Sequence, residues 1–121
     1  MGNELLQGMI GMCQRAGKLE SGTSLAEAAI RSGRCCLALV DSSASANTVK
    51  RMNDSCSFYG VSLIKLPPGL LEKACGKSNR MAAAVTDAGF AEKMMSFVRD
   101  TTDGETVSLK KQHKKSGGAG V

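Results

Sequence analysis

Cys35-Cys36-Leu37-Ala38-Leu39-Val40, followed by Asp41-Ser42-Ser43, is the stretch that decides the fold. It is an unbroken apolar run, too short for a helix, with an abrupt polar stop. Those are the marks of a strand covered on both faces. Val61-Ser62-Leu63-Ile64-Lys65-Leu66 is a second such run, ending at Pro67-Pro68, which cannot continue a strand ladder. Met81-Ala82-Ala83-Ala84-Val85, within Arg80–Thr86, is a third, and Asp87-Ala88-Gly89 after it reads as a helix entry. Lys18-Leu19-Glu20-Ser21 reads as a short edge strand.

Helices fill the intervals. Gly17, Gly33, Gly60 and Gly76 each close an apolar-periodic segment, as a left-handed helix cap does. The first helix, about 3–15, is expected to bury Leu5, Met9, Met12 and Cys13, with Leu6 and Ile10 beside them. The second, about 24–32, carries Leu25, Ala28, Ala29 and Ile30, and Ser24-Leu25-Ala26-Glu27 fits a capping box at its start. The third, about 45–59, spaces Val49, Met52, Cys56 and Tyr59 on one face. A short fourth begins near Pro68 and buries Leu70, Leu71 and Ala74; the last, about 88–99, buries Phe90, Met94, Phe97 and Val98. Helix alternating with buried strand predicts an α/β domain with helices on both faces of a central sheet.

At 121 residues the chain holds one domain, read as 1–99, with 100–121 as a flexible basic tail. The net charge of +5 is mostly the tail's: residues 110–121 carry four lysines and no acid. Global charge therefore says little about the domain's partners. With no Trp and 3% aromatic residues, base stacking on aromatic platforms is not its mode of binding. No secretory signal or membrane span is visible, so the protein is expected in the cytoplasm, not on a membrane. Cys13, Cys35, Cys36, Cys56 and Cys75 match no disulfide framework and read as reduced structural thiols, with Cys36 opening a buried strand.

Chemistry is scarce. The only histidine, His113, lies in the tail, so neither a Ser-His nor a Cys-His dyad can form inside the domain. There is no CxxC pair for zinc and no phosphate-cradling glycine loop; Gly8-Met9-Ile10-Gly11 is simpler as a close-packing feature. Neither catalytic residues, metal nor cofactor is expected. Gly22-Thr23-Ser24, opening the second helix, offers free amides and hydroxyls to a phosphate, with Arg15 and Lys18 nearby.

Three blocks carry a resemblance: Gln14-Arg15-Ala16-Gly17-Lys18-Leu19-Glu20-Ser21-Gly22, Ala29-Ile30-Arg31-Ser32-Gly33, and Leu39-Val40-Asp41-Ser42-Ser43-Ala44-Ser45-Ala46-Asn47-Thr48. With Leu71–Lys77 and Ala84–Ala91, they resemble bacterial YlxQ-type proteins. These belong to the ribosomal-protein family of archaeal L-seven-Ae, eukaryotic L-thirty and S-twelve, and the Gadd-type stress proteins. The resemblance covers about residues 3–98. It implies a three-layer α/β/α sandwich around a mixed four-stranded sheet, no enzymatic activity, and binding of structured RNA, typically kink-turns.

In the RNA-binding relatives a Gly-Thr-Asn-Glu motif, with a Lys one turn later, enters the second helix, and a second loop precedes the last strand. Gly22 and Thr23 match the motif; Ser24, Leu25 and Ala28 stand where Asn, Glu and Lys are expected. The second loop corresponds to Lys77-Ser78-Asn79-Arg80-Met81. With the base-reading side chains replaced, the remaining set of Lys18, Gly22, Thr23 and Arg80 suits phosphates, and Arg31 and Arg34 add field. The expected RNA contacts are thus Arg15, Lys18, Gly22, Thr23, Ser24, Arg31, Asn79, Arg80 and Met81. The expected partner is structured RNA, ribosomal RNA included, bound by a monomer with no small-molecule substrate. A protein-interaction module of Gadd type is the alternative on the same fold.

Overall fold

The computed structural model describes the backbone of residues 2–101 and 108–110 and the side chains of 4–98. Along the chain come α1 (Gly2–Arg15), β1 (Leu19–Ser21), α2 (Thr23–Arg31), β2 (Leu37–Asp41), α3 (Ala46–Tyr59) and β3 (Leu63–Leu66). Then follow α4 (Leu70–Cys75), β4 (Ala82–Val85), α5 (Ala88–Thr101) and β5 (Ser108–Lys110). Strands β1 to β4 form the expected mixed sheet, and β5 extends it along β3, giving the order β1-β4-β2-β3-β5. Only β2 and β3 run parallel, joined through α3. The expectation of a flexible tail over 100–121 otherwise falls outside the described residues. Among the described residues no helix is long and apolar enough to cross a membrane.

Alternation along each strand divides the core between two layers. Leu37 and Leu39 of β2, Ile64 and Leu66 of β3, and Ala83 and Val85 of β4 face α1, α4 and α5. Ala38, Val40, Leu63, Ala82 and Ala84 face α2 and α3. The first layer is filled by large aliphatic residues. The second is lined on β4 by Ala82 and Ala84, small side chains on which α2 packs.

That packing shifts two helix faces. On α1 the buried stripe is Leu6, Ile10 and Cys13, while Leu5 and Met12 stay exposed. Gly11 turns toward α4, where a Cβ would stand 3.5 Å from the Ala74 carbonyl oxygen. On α2 the buried residues are Ala26, Glu27, Ala29 and Ile30, and Leu25 is 54% exposed. The small-residue face can approach the alanines of β4; a leucine there could not. Helix α3 buries Met52 and Cys56 as expected, and Ser45 caps it by accepting the Thr48 amide at 3.1 Å. The expected stops at Gly17, Gly33, Gly60 and Gly76 all have positive φ. Helix α4 starts at Leu70 with Gly69 as its N-cap, so Pro68 lies outside it.

All five cysteines are free thiols, but Cys36 is exposed, because β2 begins only at Leu37. Burial pushes Cys35 and Cys56 up to about 12 and Cys13 up to about 11. Raised pKa values mean that, above the ordinary thiol value of 9.0, the unfolded chain holds fewer protons than the folded one. Stability is therefore unaffected by these thiols below that pH and falls as pH rises toward 12, by up to about 1.4 kcal/mol per pH unit for each thiol so split. Denaturant midpoints measured from pH 8 to 11 check the sign. A thiol reagent at neutral pH should label Cys36 rapidly and the other four only on unfolding; rapid labelling of Cys56 would contradict its burial.

Candidate nucleic-acid interface

The site forms where β1 leaves the sheet and β4 enters it. The Gly22 amide donates to the Ala82 carbonyl at 2.8 Å, extending the β1–β4 ladder by one step before the chain turns into α2. The turn needs φ 110° and ψ 141° at Gly22, a conformation that a residue with a Cβ adopts only under strain.

Gly22 is also the N-cap of α2, and no side chain caps the helix. The expected capping box does not form. Its glutamate, Glu27, is instead drawn to Arg51 of α3, whose Nη2 and Nε donate to it at 2.6 and 3.1 Å. A charge-assisted bidentate pair outcompetes a single bond back to a backbone amide. Ser24 is left exposed, and the first turn of α2 keeps amides for an outside acceptor.

The loop before β4 supplies the opposite wall. Asn79 has φ 60°, and its amide donates to Glu72 of α4 at 2.5 Å, so α4 holds the bend. The Arg80 Nε donates to the Ser21 hydroxyl at 3.2 Å and its Nη1 to the Ser78 carbonyl at 3.3 Å. These bonds orient the guanidinium without neutralising it. Beneath lies Cys75, its thiol pushed up by burial and drawn the other way by the Ser21 hydroxyl and the positive charges of Arg80 and Lys77. The Met81 carbonyl accepts the Asp41 amide at 2.8 Å, tying the loop to β2.

The structure thus brings together Gly22, Thr23, Ser24, Asn79, Arg80 and Met81. It separates them from Arg15, Lys18 and Arg31. The Lys18 carbonyl accepts from Thr86 and the Gly22 amide donates to Ala82, so the two stand at opposite ends of β1. Arg15 ends α1 just before Lys18, and Arg31 ends α2, which runs back along β1. Ser21 went unnoticed in the sequence because a serine closing a short strand carries no signal until β4 sets Arg80 across from it.

Fold and site together define a small α/β/α domain with uncapped helix amides and a guanidinium side by side at one end. No family model matches the chain. It is 38% identical over 91 residues to "RNA-binding protein YlxQ" of Bacillus subtilis (strain 168), covering 74% of this chain and 91% of that protein. It is 34% identical over 91 residues to the protein of the same name from Enterococcus faecium, covering 74% and 87%. The chain belongs to the YlxQ family. Among solved structures, a protein of unknown function from Bacillus halodurans C superposes with a TM-score of 0.74 at 27% identity, over 78% of this chain and 96% of that one. The Giardia lamblia 15.5kD RNA binding protein shares the fold, with a TM-score of 0.69 at 15% identity over 83% and 88%.

Proposed function

We propose that this chain binds structured RNA without catalysis, gripping a phosphate between the first turn of α2 and the guanidinium of Arg80. The carrying observation is the Arg80–Ser21 bond at 3.2 Å, which holds a cation beside a helix N-terminus that no side chain caps. The names of the YlxQ relatives support RNA as the ligand class. Kinked RNA of the ribosomal kind fits this reading, because a sharp bend crowds phosphates that a cation relieves. Ser24 and Leu25 leave little means of reading base edges, so affinity should exceed discrimination.

The test is titration of a kink-turn RNA and an unrelated hairpin at several salt concentrations. Arg80→Ala should weaken both by about tenfold, as loss of one charge-assisted contact implies, and flatten the salt slope by roughly one unit. Restoring the motif with Ser24→Asn, Leu25→Glu and Ala28→Lys should favour the kink-turn, each bidentate base contact contributing about 1–3 kcal/mol by analogy with DNA groove readout. If wild type and the triple variant both ignore RNA at low salt, the assignment falls. The exposed Leu5, Met12 and Leu25 would then point to a protein partner.

A further inference from the structure

We propose a second phosphate-binding surface at the start of β1, formed by Lys18 and Arg31, that takes RNA backbone continuing past the segment held at Arg80. The inference rests on RNA being the ligand and adds where that RNA must run. Strand β1 is one of the two outer strands of the sheet. Lys18 leads into its start, and the turn after α2 returns to that same end, where the Cys36 amide donates to Val85, the cross-strand partner of Leu19. Lys18 and Arg31 therefore lie toward one end of the sheet edge, whereas the Arg15 guanidinium folds back over Gly11. Lys18 and Arg31 are exposed and have no ion-pair partner among the described residues.

Of the nearby acids, Glu20 already has a cationic partner and Asp87 caps a helix. Glu20 pairs with Arg34 at 3.2 Å. Asp87 accepts the Phe90 amide at 2.9 Å at the start of α5. Neutralised Glu20 matters most, since it lies on β1 between the two ends and would otherwise repel a backbone crossing the edge. Arg31 also complements the dipole of the helix it ends, but Lys18 has no such role.

From Lys18 to Gly22 is four residues of extended chain, about 13 Å at roughly 3.3 Å each. That exceeds the Debye length of about 8 Å at physiological salt. The two clusters therefore act as separate charges and require an RNA long enough to reach both. Each should release its own counterions, so their effects on the salt slope should add.

The experiment compares wild type, Arg80→Ala and Lys18→Ala/Arg31→Ala on a minimal kinked RNA and on the same RNA with both stems lengthened. Thermal melts of each variant check the fold, and Lys18→Arg/Arg31→Lys tests retained charge. The double alanine variant should lose at least about fivefold in affinity for the long RNA and flatten its slope by roughly two units, leaving the minimal RNA nearly unaffected. The charge-retaining variant should bind as wild type. If the double alanine variant binds the long RNA like wild type while Arg80→Ala loses affinity, the second surface is overturned and the RNA reading stands. Equal weakening of both RNAs also overturns it, since no separate segment is then engaged. Wild type binding neither RNA at low salt overturns both.

Discussion

Asp41→Ala is expected to destabilise the domain by about 3–5 kcal/mol, lowering Tm by roughly 15–30 °C. The Asp41 carboxylate is fully buried at the end of β2. It accepts the Ser43 amide at 2.7 Å, the Ser43 hydroxyl at 2.6 Å and the Gly69 amide at 2.8 Å. Removing it leaves these donors without their acceptor, and hydrogen bonds to a charged group contribute about 1.5–3 kcal/mol each. The total is held below their sum because part of the gain offsets desolvation of the carboxylate. Asp41→Asn keeps one acceptor oxygen and should cost roughly half as much. The site is coupled to this lock, since the Asp41 amide holds the Met81 carbonyl beside Arg80. Chemical denaturation of both variants checks the order; equal loss in the two would assign the effect to charge rather than to acceptor count.

The second large effect separates the two layers of the core. Leu39 is fully buried against α1, α4 and α5, and Leu39→Ala should cost about 2–5 kcal/mol by removing contacts and leaving a cavity. Ala84 is just as buried, but in the alanine-lined layer beneath α2. Ala84→Leu adds volume at a fully buried position and should cost about 1–3 kcal/mol. It should also move α2, so RNA affinity should fall with stability. Leu39→Ala, on the other layer, should unfold the domain more easily yet leave the affinity of the folded fraction intact. Paired melts and titrations distinguish these outcomes, and equal affinity loss would contradict the division into layers.

What the chain determined by itself is what local physics controls. The apolar runs beginning near Leu37, Leu63 and Met81 are strands because they are short and bounded by turn residues, and the helices stop where glycine permits a left-handed turn. None of this needs a distant partner. Tertiary structure decided the features in which two local solutions had similar energy. Helix α1 has two apolar stripes of the same period, and α4 selected Leu6, Ile10 and Cys13 over Leu5 and Met12. Glu27 could have closed a capping box, but Arg51, 24 positions away, offered two charge-assisted bonds. The cations gathered into one site by sequence proximity were divided by β1, because four residues of extended chain carry Lys18 and Gly22 to opposite ends of a sheet. Helical periodicity and strand length are written in neighbouring residues; which face turns inward, and which charges meet, depends on the surfaces that pack against them.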